Sequence, residues 1–214
     1  MAIKTKHLTI YFLPLIVLIT TYNVFHQLTQ YFKPKTAYFF GFVFYWLFCC
    51  ITIPLLLLGS KSIKTLFKVG QPVFGRHKLR NILFLILPLA FAYSYEFPKV
   101  IVHSSSLIIM SSAGLSVINA VAEEILWRGT FLKLMGENSR WYIPFSSIGF
   151  ALWHLAPLSI YGNRNPGGSL SFVLVSFLLG LLYSAVSKDT KSILFVTLSH
   201  ILFDFSGLGA RIYF

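Results

Sequence analysis

Six acids occur in 214 residues, and three of them, Glu123, Glu124 and Asp204, stand inside apolar runs. One base, Arg128, shares that setting. On insertion scales a central Asp or Arg costs roughly 2.5–3.5 kcal/mol, so these four residues must either neutralise one another or do chemistry. Glu124 and Arg128 are spaced i,i+4 with the acid first, the favourable order for a buried ion pair that shapes the helix. Glu123 lies about 100° around the helix from Glu124 and about 140° from Arg128, so it has no basic partner close in sequence. A glutamate left over in this way is a candidate general base. Two other apolar runs carry histidines. In Phe150-Ala-Leu-Trp-His154 the phenyl ring shares a face with the imidazole and can fix its rotamer; in His200-Ile-Leu-Phe-Asp204 the carboxylate can hold a ring N–H and set the tautomer. A lone buried histidine is more often a core residue than a catalyst. Two histidines, a free Glu and an Asp on three separate runs point instead to an intramembrane site, because polar groups in lipid seek one another in the bundle interior. Residue types alone do not name its reaction.

The elements that must carry these residues follow from composition. The chain is 56% hydrophobic and 11% charged, where a soluble domain carries about 25% charged residues. With a mean hydropathy of +0.74, this excludes an ordinary soluble globule and a disordered chain. Two adjacent cysteines, Cys49 and Cys50, exclude a disulfide scaffold and read as small core residues. The expected fold is all-α: a polytopic membrane helix bundle of about seven transmembrane helices, forming one integral membrane domain over 1–214. The spans are expected at 8–28, 37–58, 81–95, 106–135, 141–158, 170–187 and 190–208. The first resembles a signal peptide in its charged start, but it is long and no small-x-small site follows, so an uncleaved span is expected. Pro98 predicts a break within 96–105, and 161–168 reads as a loop. Ser111, Ser112, Gly114 and Ser116 suit close helix packing. There is no internal repeat.

A net charge of +12 would suggest nucleic acid in a soluble protein. Here the basic residues fill the gaps between apolar runs, above all 59–80, where they set topology and meet lipid head groups. Nucleic acid is therefore not an expected partner. Counting Lys and Arg with the N-terminus cytoplasmic places twelve on that side and five opposite, which predicts N-in and C-out. In that orientation Glu123, His154 and His200 lie roughly 18, 20 and 14 Å from the cytoplasmic helix ends, close enough in level to converge.

The three patches, Glu123-Glu124-x-x-x-Arg128, Phe150-x-x-x-His154 and His200-x-x-x-Asp204, resemble the signature of the CAAX-protease and bacteriocin-processing (CPBP, or Abi) family of intramembrane endopeptidases. The family pattern is EExxxR, FxxxH and HxxxN or HxxxD on separate helices, and the resemblance covers roughly 106–208. Asp204 stands where the Ras-converting CAAX endopeptidases commonly have Asn, a variant also at home among bacterial members. The resemblance implies hydrolysis of a peptide bond in a membrane-associated protein or peptide: a prenylated CAAX tail, a bacteriocin or pheromone leader, or a C-terminal sorting signal. It implies Glu123 as general base, His154 positioning the attacking water, His200 stabilising the oxyanion and Asp204 orienting His200, with Glu124, Arg128 and Phe150 in support. No cofactor is expected. The alternative, Zn²⁺ held by His154, His200, Glu123 and Asp204, lacks an HExxH pair, and its donors are scattered over three helices. Two other classes compete: a proton-coupled carrier, for which the chain lacks repeats, and a non-catalytic scaffold or bacteriocin-immunity factor. Trp127, Trp153, Phe150 and Phe172 line either a substrate path or the core. A bacterial or archaeal cytoplasmic membrane is the expected location.

Overall fold

The computed structural model describes residues 2–162 and 167–214, with side chains described from Thr9 onward; half of the expected loop at 161–168, including Arg164, lies at 163–166, outside the described residues. The described residues form an all-α bundle: α1 (Ala2–Tyr31), α2 (Pro34–Leu58), a short α3 (Ser60–Leu66), α4 (Lys78–Ile101), α5 (Ser106–Met135), α6 (Tyr142–Trp153), a single-turn α7 (Leu155–Leu158), α8 (Gly168–Thr190) and α9 (Leu194–Ser206).

All seven apolar runs are helical, but five helices are long and apolar enough to cross a membrane: Thr9–Tyr31, α2, α4, α5 and α8. The fifth and seventh expected spans fall short, since α6 has 12 residues and α9 has 13. At 1.5 Å per residue these rods are about 18–20 Å long, against an apolar layer of about 30 Å. Interior packing explains why short rods suffice. Tyr142, Ser146, Gly149, Phe150 and Trp153 of α6 are buried, and the helix packs against α1 and α8. Pro98 does not break its helix either. It follows directly on a π-helical segment at Ala92–Glu96, a widened turn beside which a proline is accommodated, and α4 continues to Ile101.

Helix α5 begins at an N-cap, where the Ser105 hydroxyl accepts from the Ile108 N–H at 3.3 Å. The packing stripe along α5 is Ser112, Ser116 and Ala120, buried at four-residue spacing; Gly114 has open space instead. Helix α9 lies on α5, and the Ser112 hydroxyl accepts the Ala210 N–H at 3.1 Å. Between α6 and α8 the approach is closer, since a Cβ on Gly180 would lie 2.9 Å from Ser147 Cα.

Two further π-helical segments, Tyr45–Thr52 in α2 and Glu124–Thr130 in α5, pack against each other. Each closes on a threonine that donates to the carbonyl five residues back, Thr52 to Leu47 at 2.8 Å and Thr130 to Ile125 at 2.9 Å. The Trp127 carbonyl inside the second segment accepts from Ser146 at 2.6 Å. Widened turns of this kind are held by side chains and recur at functional sites.

Candidate active site

The buried polar residues meet where α2, α5 and α9 touch. Glu123 and Glu124 are 1% and 0% exposed and His200 is 2% exposed, so the paired motif residues face inward together. His200 has its two ring nitrogens in different company. Nδ1 lies 2.8 Å from Glu124 Oε1, a hydrogen bond donated to the carboxylate. Nε2 faces Glu123 Oε2 at 3.6 Å and Asp204 Oδ1 at 3.4 Å. Ring orientation is therefore set by Glu124 as well as by Asp204, which the His200–Asp204 spacing alone had suggested.

The expected Glu124–Arg128 pair is present, with Arg128 Nη1 3.0 Å from Oε1 and both side chains wholly buried. The guanidinium lies over the Phe150 ring at 4.1 Å, and its N–H groups have no well-aligned hydrogen-bond acceptor among the described residues. Proximity and charge hold this pair more than directed hydrogen bonding. Phe150 joins three groups, since its ring also meets His154 and His200 edge-on, at 5.0 and 5.8 Å and 88° in both cases.

His154 ends α6. Its Nδ1 donates to the Phe150 carbonyl at 2.7 Å, which fixes the tautomer and leaves Nε2 as the acceptor. Among the described residues His154 reaches the carboxylate cluster through Phe150 rather than by a hydrogen bond of its own. Trp127 and Trp153 are buried at 0% and 1%, so they belong to the core and do not line a path. A groove of about 920 Å³ lies elsewhere along α5, between Leu115, Ile118, Phe39 and Phe40.

Three residues of this cluster escaped the sequence reading. Asn119, one turn before Glu123, donates from Nδ2 to Asp204 Oδ2 at 2.8 Å and to Glu123 Oε2 at 3.2 Å. Its Oδ1 accepts from Trp46 Nε1 at 2.8 Å. An indole N–H only donates, so this bond fixes which end of the amide faces the carboxylates. Tyr45 donates to Glu123 Oε1 at 3.2 Å and accepts from Trp127 Nε1 at 2.8 Å. An asparagine within an apolar run, four residues before an acid, was a readable signal. Tyr45 and Trp46 gave none among 22 Phe and 11 Tyr.

No group of three His, Cys, Asp or Glu among the described residues is arranged to hold a metal ion. An amide N–H of Asn119 bridges Glu123 and Asp204, and His154 commits Nδ1 to its own helix.

Fold and site together define a polytopic helical membrane protein with a buried centre of carboxylates and imidazole. Residues 104–206 match the family model described as type II CAAX prenyl endopeptidase Rce1-like, a stretch that opens just before α5 and closes with α9. Over that segment, which carries all three motifs, the chain is similar to CAAX-type membrane proteases. No curated protein and no solved structure matches the chain.

Proposed function

We propose that this protein is an intramembrane endopeptidase that hydrolyses a peptide bond in a membrane-associated protein or peptide, using a metal-free, glutamate-activated water. The observation that carries the reading is the approach of Glu123 Oε2 to His200 Nε2, 3.6 Å apart in a buried setting. That gap exceeds a direct hydrogen bond of about 2.7–3.2 Å, and a water off their axis can touch both groups. Glu123 takes a proton from this water as it attacks the scissile carbonyl. The Nε2–H of His200 then turns to the oxygen on which negative charge develops, an interaction worth a few kcal/mol where water is scarce. Glu124, backed by Arg128, holds the imidazole from its other nitrogen. His154 presents Nε2 to the water or the substrate from the end of α6. Asp204, tied to Asn119, supports His200 from the rim, with its side chain 23% exposed. Glu123 returns its proton to the leaving amine, which completes the hydrolysis.

Peptides from the membranes and medium of cells carrying wild-type or Glu123→Gln protein test this reading. The expected result is a set of cleavage products that disappears in the variant while the protein accumulates normally in the membrane. An unchanged peptide set would favour a non-catalytic scaffold.

A further inference from the structure

Two of the three residues that hold the candidate base lie outside the family match. Glu123 Oε1 accepts from Tyr45, and Oε2 accepts from Asn119, whose amide is turned by Trp46. Tyr45 and Trp46 are consecutive residues of the π-helical segment of α2, and 104–206 does not include them. One pair of neighbours thus controls both oxygens of one carboxylate, the first directly and the second through an amide.

We propose that Tyr45, and Trp46 acting through Asn119, are positioning residues that clamp the Glu123 carboxylate with one face of Oε2 free toward His200. An unpinned carboxylate could swing about its last torsion and either close on His200 as an ion pair or turn away from the substrate. Two donors from fixed directions leave one productive orientation. The π-helical geometry of α2 has a use here, since it keeps two adjacent side chains on the inner face of the bundle. Tyr45 and Trp46 are themselves well packed: Tyr45 is fully buried and stacks on Trp153 at 3.7 Å and 12°, and Trp46 is 7% exposed. Asn119 also separates Glu123 from Asp204, so the two carboxylates meet an N–H before they meet each other.

The inference rests on Glu123 being the base, and the test separates the two claims. Full-length protein in lipid nanodiscs is incubated with a detergent extract of membrane proteins in H₂¹⁸O, and the rate of appearance of ¹⁸O-labelled carboxyl termini is measured across pH. Tyr45→Phe and Trp46→Phe each remove one donor and keep a ring. Each is expected to lower the rate about 10- to 100-fold, the scale for a misplaced reacting group. Each also moves the acid limb of the rate–pH profile, read at a temperature where every variant is folded, since Tyr45→Phe also leaves the Trp127 N–H without its acceptor. Asn119→Ala lowers the rate similarly, and adding Trp46→Phe to it lowers the rate no further, because Trp46 acts through the amide it has lost. If Glu123→Gln is inactive while Tyr45→Phe and Trp46→Phe keep the wild-type rate and profile, the clamp is wrong and the base stands. If the Trp46 and Asn119 effects simply multiply, the relay between them is wrong. Wild-type turnover in Glu123→Gln overturns the base itself.

Discussion

His200 has a carboxylate on one nitrogen and two more near the other, and the chain spends four charged residues in a dry interior to place them there. Removing one partner from such a group leaves an uncompensated buried charge, at a cost of about 3–5 kcal/mol. Arg128→Ala is therefore expected to lower the thermal stability of the solubilised protein by that order, and to reduce yield in the membrane. A variant as stable as wild type would mean that Arg128 is dispensable to the Glu124–His200 bond. The same economy of charge made this part of the site legible. Glu123, Glu124, Arg128 and Asp204 stand out because ionisable residues in apolar runs are rare and costly. Their four-residue spacing also gave the pairing of Glu124 with Arg128 and the packing of Phe150 on His154. Asn119 was readable in principle. Tyr45 and Trp46 were not, because an aromatic residue on a lipid-embedded helix carries no mark of whether it faces lipid, core or carboxylate.

At the scale of helices, two contacts of opposite character set the frame. Gly180 is the point where α8 meets α6, and a Cβ there would strike Ser147 backbone. Gly114 on α5 opens onto free space. Gly180→Val should cost about 1–3 kcal/mol through overpacking, and it should lower activity by displacing α6 and with it His154. Gly114→Ala should leave stability within about 0.5 kcal/mol of wild type, or raise it slightly by favouring helix. Unfolding curves of the two variants in one detergent check both, and equal effects would mean that the α6–α8 approach is not as close as described. The helices of the seven apolar runs were legible from composition, whereas α3 lies in the basic segment read as a gap between them. Helix length was not legible. The runs 141–158 and 190–208 are apolar enough to suggest spans, yet His154 and Pro157 end α6 early, and the left-handed turn at Lys191 delays α9 to Leu194. Apolar composition reports burial, and the interior of a helical bundle buries short rods as well as lipid buries long ones.

Across the whole molecule, the basic segment 59–80 carries six of the cations that predict a cytoplasmic N-terminus. Cys49 and Cys50 are free but buried, which gives a quiet background for labelling. A membrane-impermeant maleimide should reach Ser62→Cys from the cytoplasmic side and Ser104→Cys from the opposite side of intact cells. The reverse pattern would invert the orientation and with it the leaflet from which substrate arrives. The overall class was legible because composition and three motifs agree, and the family match falls on the segment that carries them. The contribution of α2 was not legible, since its residues act at long range in sequence and outside any motif. The central claim is that Glu123 activates the water that cuts the peptide. It is tested most directly by incubating purified wild-type and Glu123→Gln protein with membrane-protein extract in H₂¹⁸O. The account predicts ¹⁸O-labelled new carboxyl termini with wild type and none with the variant, at equal thermal stability; the same labelled termini from both would contradict it.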